Sequence, residues 1–383
     1  MFTLLFGPLM AAMGVFVCWR LVCPLPLAVP WKLALAALIM AGALKVLLFR
    51  LIRGTFSINS LPDWLLLASA WWNVAVLALF FLLLIFWGAQ AVPLRFGVCL
   101  SVRADSALVL LLAAMLISAH GLWQGTASPE LRRLDLPLAD LPPELEGLRI
   151  VHITDMHIGP LFHERRTENL VARINALEPD LVFITGDIVD GSVWELRADV
   201  APLAKLRARH GVWACPGNHE YYSGFGPWMK QFAEFGVRML VNEHEVLRIN
   251  SRSLVLAGVS DEAAARFGLA EPDIGQALAG APPDAQRILL AHRPKGSAEY
   301  ARHGVTVQFS GHTHGGQVLL VQPLVQAVND YLYGLYAVNG MTLYVGSGAA
   351  LWSGYPVRFG APSEFVLFRL IKSSSANLPP KHS

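Results

Sequence analysis

Residues 305–317 read VTVQFSGHTHGGQ, and this stretch indicates how the C-terminal two thirds of the chain folds. Val305–Ser310 is a short apolar run typical of a buried strand, and the polar residues Gly311, His312 and His314 follow it directly. In open α/β sheets, ligands bind beyond the carboxyl ends of the strands. Glycine permits the tight turns and close backbone approach that such a site needs. The stretch therefore predicts a strand that brings two histidines to a binding crevice.

Four other segments rich in polar residues come after predicted strands: Asp155-Met156-His157, Gly186-Asp187-Ile188-Val189-Asp190, Gly217-Asn218-His219-Glu220, and His292. With the first stretch they offer seven nitrogen and oxygen ligands and no thiolate. That is too many for one divalent ion, which takes about four to six ligands. The set suits two ions that share a bridging carboxylate, and Asp187 is the natural bridge.

These five segments, in this order, resemble the signature of the calcineurin-like metallophosphoesterase superfamily: D-x-H, G-D-x-x-D, G-N-H-D/E, a lone H and G-H-x-H. Every position matches, and the resemblance spans roughly residues 148–370. The stretches 310–317, 344–349 and 356–368 are similar to a membrane-associated subgroup, some members of which are lipid-sugar pyrophosphatases. The resemblance implies an α/β fold, a four-layer α-β-β-α sandwich of mixed sheets with a dinuclear metal site.

The resemblance also implies a role for each matched residue. The metal ligands fall into two groups joined by a bridging Asp187: Asp155, His157 and His314 for one ion, and Asn218, His292 and His312 for the other. His219 would be catalytic, contacting the scissile phosphate or protonating the leaving oxygen. Asp190 and Glu220 would orient the ligands or His219, although simple turn capping explains these two acids equally well.

The implied cofactors are two divalent ions, with Mn²⁺ expected first and Fe or Zn²⁺ as alternatives, since carboxylates suit Mn and imidazoles also suit Zn and Fe. The expected reaction is hydrolysis of a phosphoester or pyrophosphate bond by metal-activated hydroxide, on a phosphorylated, lipid-linked substrate at the membrane. Two alternatives stay open: a tethered phosphodiesterase of soluble nucleotides or phosphodiesters, and a non-catalytic scaffold containing metal. The region after residue 122 is mildly acidic, which argues against a nucleic-acid partner.

The N-terminal third has the composition of a membrane region. Of the 383 residues, 54% are hydrophobic and 15% charged, yet residues 1–122 hold only seven of the 30 Lys/Arg and two of the 28 Asp/Glu. Four apolar runs reach the roughly 20 residues that a spanning helix needs: Phe2–Val22, Trp31–Phe49, Trp64–Trp87 and Ala107–Trp123. They predict an all-α, four-helix transmembrane region and a multi-pass protein of the plasma (inner) membrane. Equal numbers of basic residues flank the spans on the two sides of the membrane, so the charge bias does not decide which side the catalytic domain faces. The sequence does not indicate the oligomeric state either.

The predicted organisation has four parts: a transmembrane region 1–123, a Pro-containing connector 124–147, a metallophosphoesterase domain 148–372 and a loose tail 373–383. Helices are predicted at Glu164–Leu177 and Leu196–Arg209. Strands are predicted at Arg149–Thr154, Asp180–Thr185, Val212–Ala214, Val237–Leu240, Val246–Asn250, Leu254–Val259, Arg287–Ala291, Val305–Ser310, Gln317–Leu320, Met341–Val345 and Glu364–Leu370. A soluble fragment that begins near Leu141 is expected to fold alone, because few contacts should cross a Pro-rich connector.

Three further expectations concern single side chains. His152 alternates with apolar strand residues, which indicates a packed core histidine. Arg358 is expected to serve packing, with a phosphate-facing position as the alternative. Aromatic and apolar side chains in the C-terminal loops are expected to form a rim for acyl chains: Tyr331, Tyr333, Leu351, Trp352 and Tyr355.

Overall fold

The chain divides into two compact units. The computed structural model describes residues 2–45, 47–49, 61–94, 104–138 and 141–372, so the predicted loose tail lies outside the described residues. The N-terminal unit comprises Met1–Gly125 and Ser353–Val357. The C-terminal unit comprises Thr126–Trp352 and Arg358–Ser383.

The N-terminal unit is built from apolar helices: Phe2–Val17, continued by a π-helical turn at Cys18–Val22, then Val29–Ala43, Asp63–Leu94 and Ala104–Thr126. Within the described residues, two stretches are long and apolar enough to cross a membrane, Asp63–Ala89 and Asp105–Thr126. The 15-residue helix Val29–Ala43 reaches about 22 Å at 1.5 Å per residue, short of a hydrocarbon core of about 30 Å. The structure thus supports two of the four predicted spans, and the other two stay predictions.

The C-terminal unit contains two six-stranded mixed sheets. In spatial order, the strands of the first sheet are β1 (Glu130–Leu138), β12 (Glu364–Lys372), β2 (Arg149–Ile153), β3 (Leu181–Thr185), β4 (Val212–Cys215) and β5 (Val237–Met239). Those of the second are β10 (Gly334–Val338), β11 (Met341–Val345), β9 (Val307–Ser310), β8 (Gln286–Leu290), β7 (Arg252–Gly258) and β6 (Glu243–Ile249). Strands β2 to β5 run parallel, and so do β7, β8, β9 and β11. Each sheet therefore collects the carboxyl ends of several neighbouring strands at one edge.

Large aromatic side chains join the inner faces of the two sheets. The ring of Phe309 on β9 lies 5.4 Å from Phe183 on β3 and 5.3 Å from Phe368 on β12. His152 is buried between the sheets, as predicted, and its Nε2 lies 2.8 Å from the hydroxyl of Thr185. Aromatic residues bury large areas, and their edge-to-face contacts add about 0.5–1.5 kcal/mol each. This inter-sheet core fixes the two rows of strand ends that carry the site.

Helices cover the outer face of each sheet. On the first sheet these are Glu164–Asn175, Val193–Val200 and Phe225–Glu234, and on the second they are Ile274–Ala277 and Ser297–Arg302. Two further helices are Asn218–Tyr222 and Gln322–Asn329, and short 3₁₀ turns lie at Pro143–Leu145, Ala201–Lys205, Glu262–Phe267, His314–Gly316 and Leu319–Val321. The expected mixed α/β architecture of the C-terminal unit is confirmed.

The segment 124–147, expected to be a Pro-containing connector, contains a strand that was not predicted from the sequence. Strand β1 pairs in parallel with β12 along its whole length, from Glu130 to Leu138. Leu136 within it is completely buried in the core between the sheets. Pro137 is tolerated because β1 is an edge strand, whose outer N–H groups need no partner in the sheet.

Two other element predictions differ from the structure. The helix expected at Leu196–Arg209 begins earlier, because Ser192 and Glu195 form a capping box, and it becomes 3₁₀ from Ala201 onwards, next to Pro202. The strand expected at Gln317–Leu320 is absent from that described stretch, which forms a 3₁₀ turn at Leu319–Val321 before the helix Gln322–Asn329. Strand β10 was not predicted from the sequence.

Candidate metal centre

The predicted ligands lie at the carboxyl ends of strands from both sheets. Asp155 and His157 follow β2, Asp187 follows β3, and Asn218 begins the short helix after β4. The second sheet contributes histidines after β8 and β9: His292, His312 and His314. The structure brings these side chains into one cluster, in which Asp155, His157 and His314 form one compact triad and Asp187, His292 and His312 form another.

In the first triad, Nε2 atoms of two imidazoles converge on a carboxylate oxygen. The Oδ1 atom of Asp155 lies 3.4 Å from Nε2 of His314 and 3.9 Å from Nε2 of His157. The two Nε2 atoms are 3.2 Å apart. Among the described residues, Asp155 Oδ1 is a buried oxygen without a hydrogen-bond partner. Buried polar atoms normally have partners, so a cation bound between these three groups fits the arrangement.

In the second triad, Asp187 Oδ2 lies 3.2 Å from His292 Nε2, which is 3.2 Å from His312 Nδ1. The carbonyl of Thr185 lies 2.7 Å from Nδ1 of His292, which suits donation from that nitrogen and leaves Nε2 to face the carboxylate. Such a partner fixes the ring orientation of a metal-binding histidine. The donor set is again nitrogen and oxygen, as Mn, Fe or Zn would accept.

Asp187, a member of the second triad, also faces the first. Besides its contact with His292, its Oδ2 atom is 4.0 Å from Nε2 of His157 in the first triad and 3.9 Å from Nε2 of His219. Its other oxygen, Oδ1, accepts a hydrogen bond from the backbone N–H of His219 at 2.9 Å. One oxygen is thus held by the backbone while the other faces imidazoles of both groups.

The backbone at these ligands is strained. Five of the predicted ligands are non-glycine residues with left-handed φ between 44° and 69°: Asp155, His157, Asp187, His312 and His314. Each such residue costs of order 1 kcal/mol or more and persists where the surroundings enforce it, often at a functional site. The strained turns redirect each side chain directly after its strand.

Two glycines next to the ligands leave no room for a side chain. A Cβ on Gly311 would lie 1.9 Å from the Thr154 hydroxyl oxygen and 2.3 Å from Asp155 Oδ2. A Cβ on Gly217 would lie 2.3 Å from Asp187 Oδ1. These motif glycines are therefore needed because backbone and carboxylate approach closely.

Asp190 and Glu220 have different hydrogen-bond partners. The Oδ1 atom of Asp190 accepts hydrogen bonds from Nδ1 of His157 at 2.9 Å and from Nδ1 of His219 at 2.6 Å. Glu220 instead accepts backbone N–H bonds from four residues around the Asp187 turn: Asp187, Ile188, Val189 and Gly217. Asp190 thus orients two imidazoles, and Glu220 holds the backbone of the turn.

Electrostatics give the histidines different protonation states. Burial opposes the charged form of His219, but Asp187 and Asp190 outweigh it and raise the pKa of His219 to about 9. Burial, together with nearby His157 and Arg358, lowers the pKa of His314 to about 4 although Asp155 acts in the opposite direction. Before an ion binds, His314 is therefore neutral at pH 7, the form that binds metals, whereas His219 carries a proton that it can give away. Burial also opposes the charged form of the predicted ligand His292, but Asp187 raises the pKa of His292 to about 10, so His292 must lose a proton when a metal binds.

Sequence reasoning missed Arg293, which lies beside the predicted ligand His292. Its Nη1 lies 2.7 Å from His312 Nε2, and its Nη2 donates to Asn218 Oδ1 at 3.2 Å. Asp261 holds the guanidinium through Nε at 2.8 Å. Asn218 thus joins the cluster through this arginine. The signal available in the sequence was a basic residue directly after a predicted ligand.

Arg358 does not face the cluster as a phosphate-binding group. It is almost completely buried, and it donates to the backbone carbonyls of Ser347 at 2.9 Å, Ala361 at 3.0 Å and His314 at 3.3 Å. The packing interpretation is confirmed: this arginine ties the loop after β11 to the loop that carries His314.

Comparisons with known proteins agree with this geometry. Residues 148–316 match the family described as calcineurin-like phosphoesterase. A metallophosphoesterase of Helicobacter pylori strain J99 is 36% identical over 259 residues, covering 67% of this chain and 68% of the relative. A Danio rerio protein named transmembrane protein with metallophosphoesterase domain is 32% identical over 334 residues, covering 81% of this chain and 75% of the relative.

Among solved structures, a 5′-nucleotidase precursor from Thermus thermophilus is similar, with 16% identity and a TM-score of 0.37 over 58% of this chain and 54% of that one. The family model and the Helicobacter relative identify the C-terminal unit without help from this distant structural similarity. The chain therefore belongs to the calcineurin-like metallophosphoesterase family and is a metal-dependent hydrolase of phosphoesters.

Proposed function

We propose that this protein is a membrane-bound, two-metal phosphoesterase that hydrolyses a phosphoester or pyrophosphate bond on a membrane-associated lipid or glycolipid. The observation that carries the two-metal part is the position of Asp187, whose Oδ2 faces His292 at 3.2 Å and His157 at 4.0 Å. A carboxylate with imidazoles on both sides is the arrangement that a bridging ligand requires.

The residues proposed to hold the ions are those of the two triads, with Asp187 in common and Asn218 completing the second. When bound, such a pair of ions neutralises phosphoryl charge and brings the pKa of a bound water to about 7. The chain's own groups position the substrate and handle protons. Mn²⁺ is the first choice, with Fe or Zn²⁺ as alternatives, because the set mixes carboxylate, amide and imidazole donors.

His219 is proposed as the proton donor to the leaving oxygen. Its Nδ1 is engaged by Asp190, so the proton to be transferred sits on Nε2, which points toward Asp187 at 3.9 Å. Its side chain is 21% exposed, against 14% for His314 and 1% for His157, so a substrate can reach it. A raised pKa keeps it charged at neutral pH, as a general acid requires.

The membrane part of the proposal rests on the N-terminal unit and on one relative. Two described helices have the length and hydropathy of membrane spans. The Danio rerio relative, whose name includes a transmembrane region, aligns with 81% of this chain, more than the C-terminal unit alone contains. We extend this to a multi-pass protein of the plasma (inner) membrane, with the bilayer as partner and a lipid-linked phosphate as substrate.

A substrate panel on the purified, metal-loaded full chain tests the proposal. We expect hydrolysis of a lipid-linked pyrophosphate presented in vesicles, with kcat/KM well above that for soluble nucleotides. Elemental analysis of the same sample should give close to two metals per chain. Higher kcat/KM on a soluble nucleotide would favour the tethered phosphodiesterase instead, and one metal per folded, active chain would refute the two-metal assignment.

A further inference from the structure

The predicted rim for acyl chains is not formed as expected. Leu351 is buried, and the four aromatic side chains Tyr331, Tyr333, Trp352 and Tyr355 are only partly exposed. Tyr333 is further tied down by a hydrogen bond to Glu364 at 3.3 Å. The exposed apolar surface of the C-terminal unit has to be sought elsewhere.

One such surface lies directly after the metal-ligand loop. The 3₁₀ turn Leu319–Val321 and the helix Gln322–Asn329 present five aliphatic side chains between 42% and 69% exposed: Leu319, Leu320, Val321, Leu324 and Val328. We call these five side chains the aliphatic face. No charged residue occurs from Gln317 to Asn329. Soluble surfaces rarely expose contiguous apolar patches of this kind without a binding role.

The aliphatic face is rigidly connected to the metal centre. The side chain of Gln322 donates to the carbonyl of Gly315 at 3.0 Å, one residue after the predicted ligand His314. On the other side, the backbone N–H of Phe359 donates to the carbonyl of Gln317 at 2.7 Å. A molecule that binds the aliphatic face is therefore attached to a segment that begins a few residues after the predicted ligand His314.

Its composition favours hydrocarbon over a protein partner. Protein interfaces concentrate their binding energy in Trp, Tyr and Arg, and residues 318–329 contain none of these. Helices that lie in a membrane interface bury an apolar face about 5–10 Å into the headgroup and acyl boundary. The same chain carries two helices of membrane-spanning length, which would tether the C-terminal unit to a bilayer.

We propose that the aliphatic face inserts into the bilayer surface and thereby holds the metal centre at the headgroup level of its lipid substrate. The proposal rests on the membrane-bound phosphoesterase function and specifies how that site meets its substrate. A lipid phosphate can then enter the site without its acyl chains leaving the hydrocarbon.

Spin labelling of the full chain in vesicles tests the insertion directly. With the four cysteines replaced by alanine, a single cysteine at Leu324 carries a nitroxide, and a matched label is placed at Val246. Val246 is also exposed and aliphatic, but it lies on β6, the edge strand at the other end of the second sheet from β10. We expect the Leu324 label to collide several-fold more with oxygen than with a water-soluble nickel chelate, and the Val246 label to show the reverse.

Equal access of nickel to both labels would overturn the insertion. So would protection of the Leu324 label from both reagents, which would indicate a protein partner or a second copy of the chain. The labelling result does not depend on activity. A label in hydrocarbon on an enzyme that ignores lipid phosphates would refute the proposed substrate and leave the membrane contact standing.

A kinetic comparison links the face to catalysis. Leu324→Glu should lower kcat/KM on a vesicle-borne substrate at least about tenfold more than on a small soluble diester, because a carboxylate cannot replace a leucine that inserts into hydrocarbon. Val246→Glu should leave the ratio of the two rates unchanged. An unchanged ratio in Leu324→Glu would refute the role of the face in presenting the lipid.

Discussion

At the scale of single residues, His219 and its partner Asp190 separate proton transfer from metal binding. We predict that His219→Ala lowers kcat by about 10²–10⁴, the usual contribution of one acid–base group. His219 also lies within reach of His157 and Asp187. Metal content should nevertheless stay close to that of the unchanged protein, because the two triads proposed to hold the ions, Asp155/His157/His314 and Asp187/His292/His312, keep all their side chains in this variant. The value of kcat is measured on a substrate with a poor leaving group, and the metal content is measured by elemental analysis. His303→Ala, at an exposed histidine, is the matched control.

Arg293 occupies an oxygen that a second cation would need. Its Nη2 donates to Asn218 Oδ1, so the guanidinium must leave this oxygen before an ion can bind there. His312 faces the second triad through Nδ1, and Arg293 Nη1 contacts its other ring nitrogen, Nε2. Because hydrogen bonds to a charged group contribute about 1.5–3 kcal/mol, we predict that Arg293→Gln tightens Mn²⁺ binding at one of two sites about tenfold or more.

Calorimetric titration of chelator-treated protein with Mn²⁺ measures this affinity. Lys295→Gln is the control, since this exposed lysine also lies beside an acid, Glu262, but contacts no predicted ligand. Unchanged or weaker binding in Arg293→Gln would show that the arginine supports the cation site and does not compete with it.

His152 predicts how acid affects stability. Burial lowers the pKa of His152 to about 3, despite the opposing charge of Asp155, from an unfolded value of 6.5. A depressed histidine pKa stabilises the fold fully above pH 6.5, and this contribution is lost as pH falls from 6.5 toward 3. The loss reaches about 2 kcal/mol by pH 5. In chelator, the fall in Tm between pH 7.5 and 5 should be smaller for His152→Gln. An equal fall would place the acid sensitivity elsewhere.

At the scale of elements, β1 decides where an independent C-terminal unit begins. A fragment starting at Ala127 keeps β1, whereas one starting at Leu141 removes Leu136 and Leu138 from the core and exposes the edge of β12. We predict that the shorter fragment is less stable by at least about 3 kcal/mol, the scale of losing a buried leucine. It should also aggregate through the open edge.

Thermal melting and light scattering of the two fragments check this prediction. It replaces the expectation that a start near Leu141 suffices. Equal Tm values and equal solubility would mean that β1 contributes little to the fold, contrary to its burial.

The strands that carry the site were the most predictable elements. Each combines an apolar run with a polar motif at its end, as in Leu181–Thr185 followed by Gly186 and Asp187. β1 was not predicted because Pro137 and two arginines interrupt its alternation of apolar and polar residues. The strand becomes recognisable only through its pairing with β12. The run Gln317–Leu320 looked like a strand because its apolar residues are contiguous, yet they face outwards from a 3₁₀ turn.

In the candidate site, too, some features could be predicted from the sequence and others could not. Motif spacing was enough to select every residue of the two triads. It could not reveal that Glu220 binds four backbone amides while Asp190 binds two imidazoles, because each acid is simply the last residue of its motif. Arg293 lies outside the motifs, and only the fold brings it to Asn218.

At the scale of the whole molecule, metal removal should destabilise the C-terminal unit. Ligands that bind only the folded state stabilise it by RT ln(1 + [L]/Kd), about 2.7 kcal/mol at a hundredfold excess over Kd. We predict that chelation lowers the melting temperature and that Mn²⁺ restores it. Asp187→Ala should melt at the same temperature with and without Mn²⁺, because both proposed ion positions share that residue. A full Mn²⁺ response in Asp187→Ala would contradict the bridging role.

The distribution of the triads over two sheets has a mechanical consequence. The first sheet supplies Asp155, His157 and Asp187, and the second supplies His292, His312 and His314. A bound cation would thus cross-link the two sheets, which otherwise pack together through apolar side chains. Amide hydrogen exchange should then slow on metal binding along β3 and β9 together, well away from the ligand loops. The ions would serve as part of the domain's architecture as well as its chemistry.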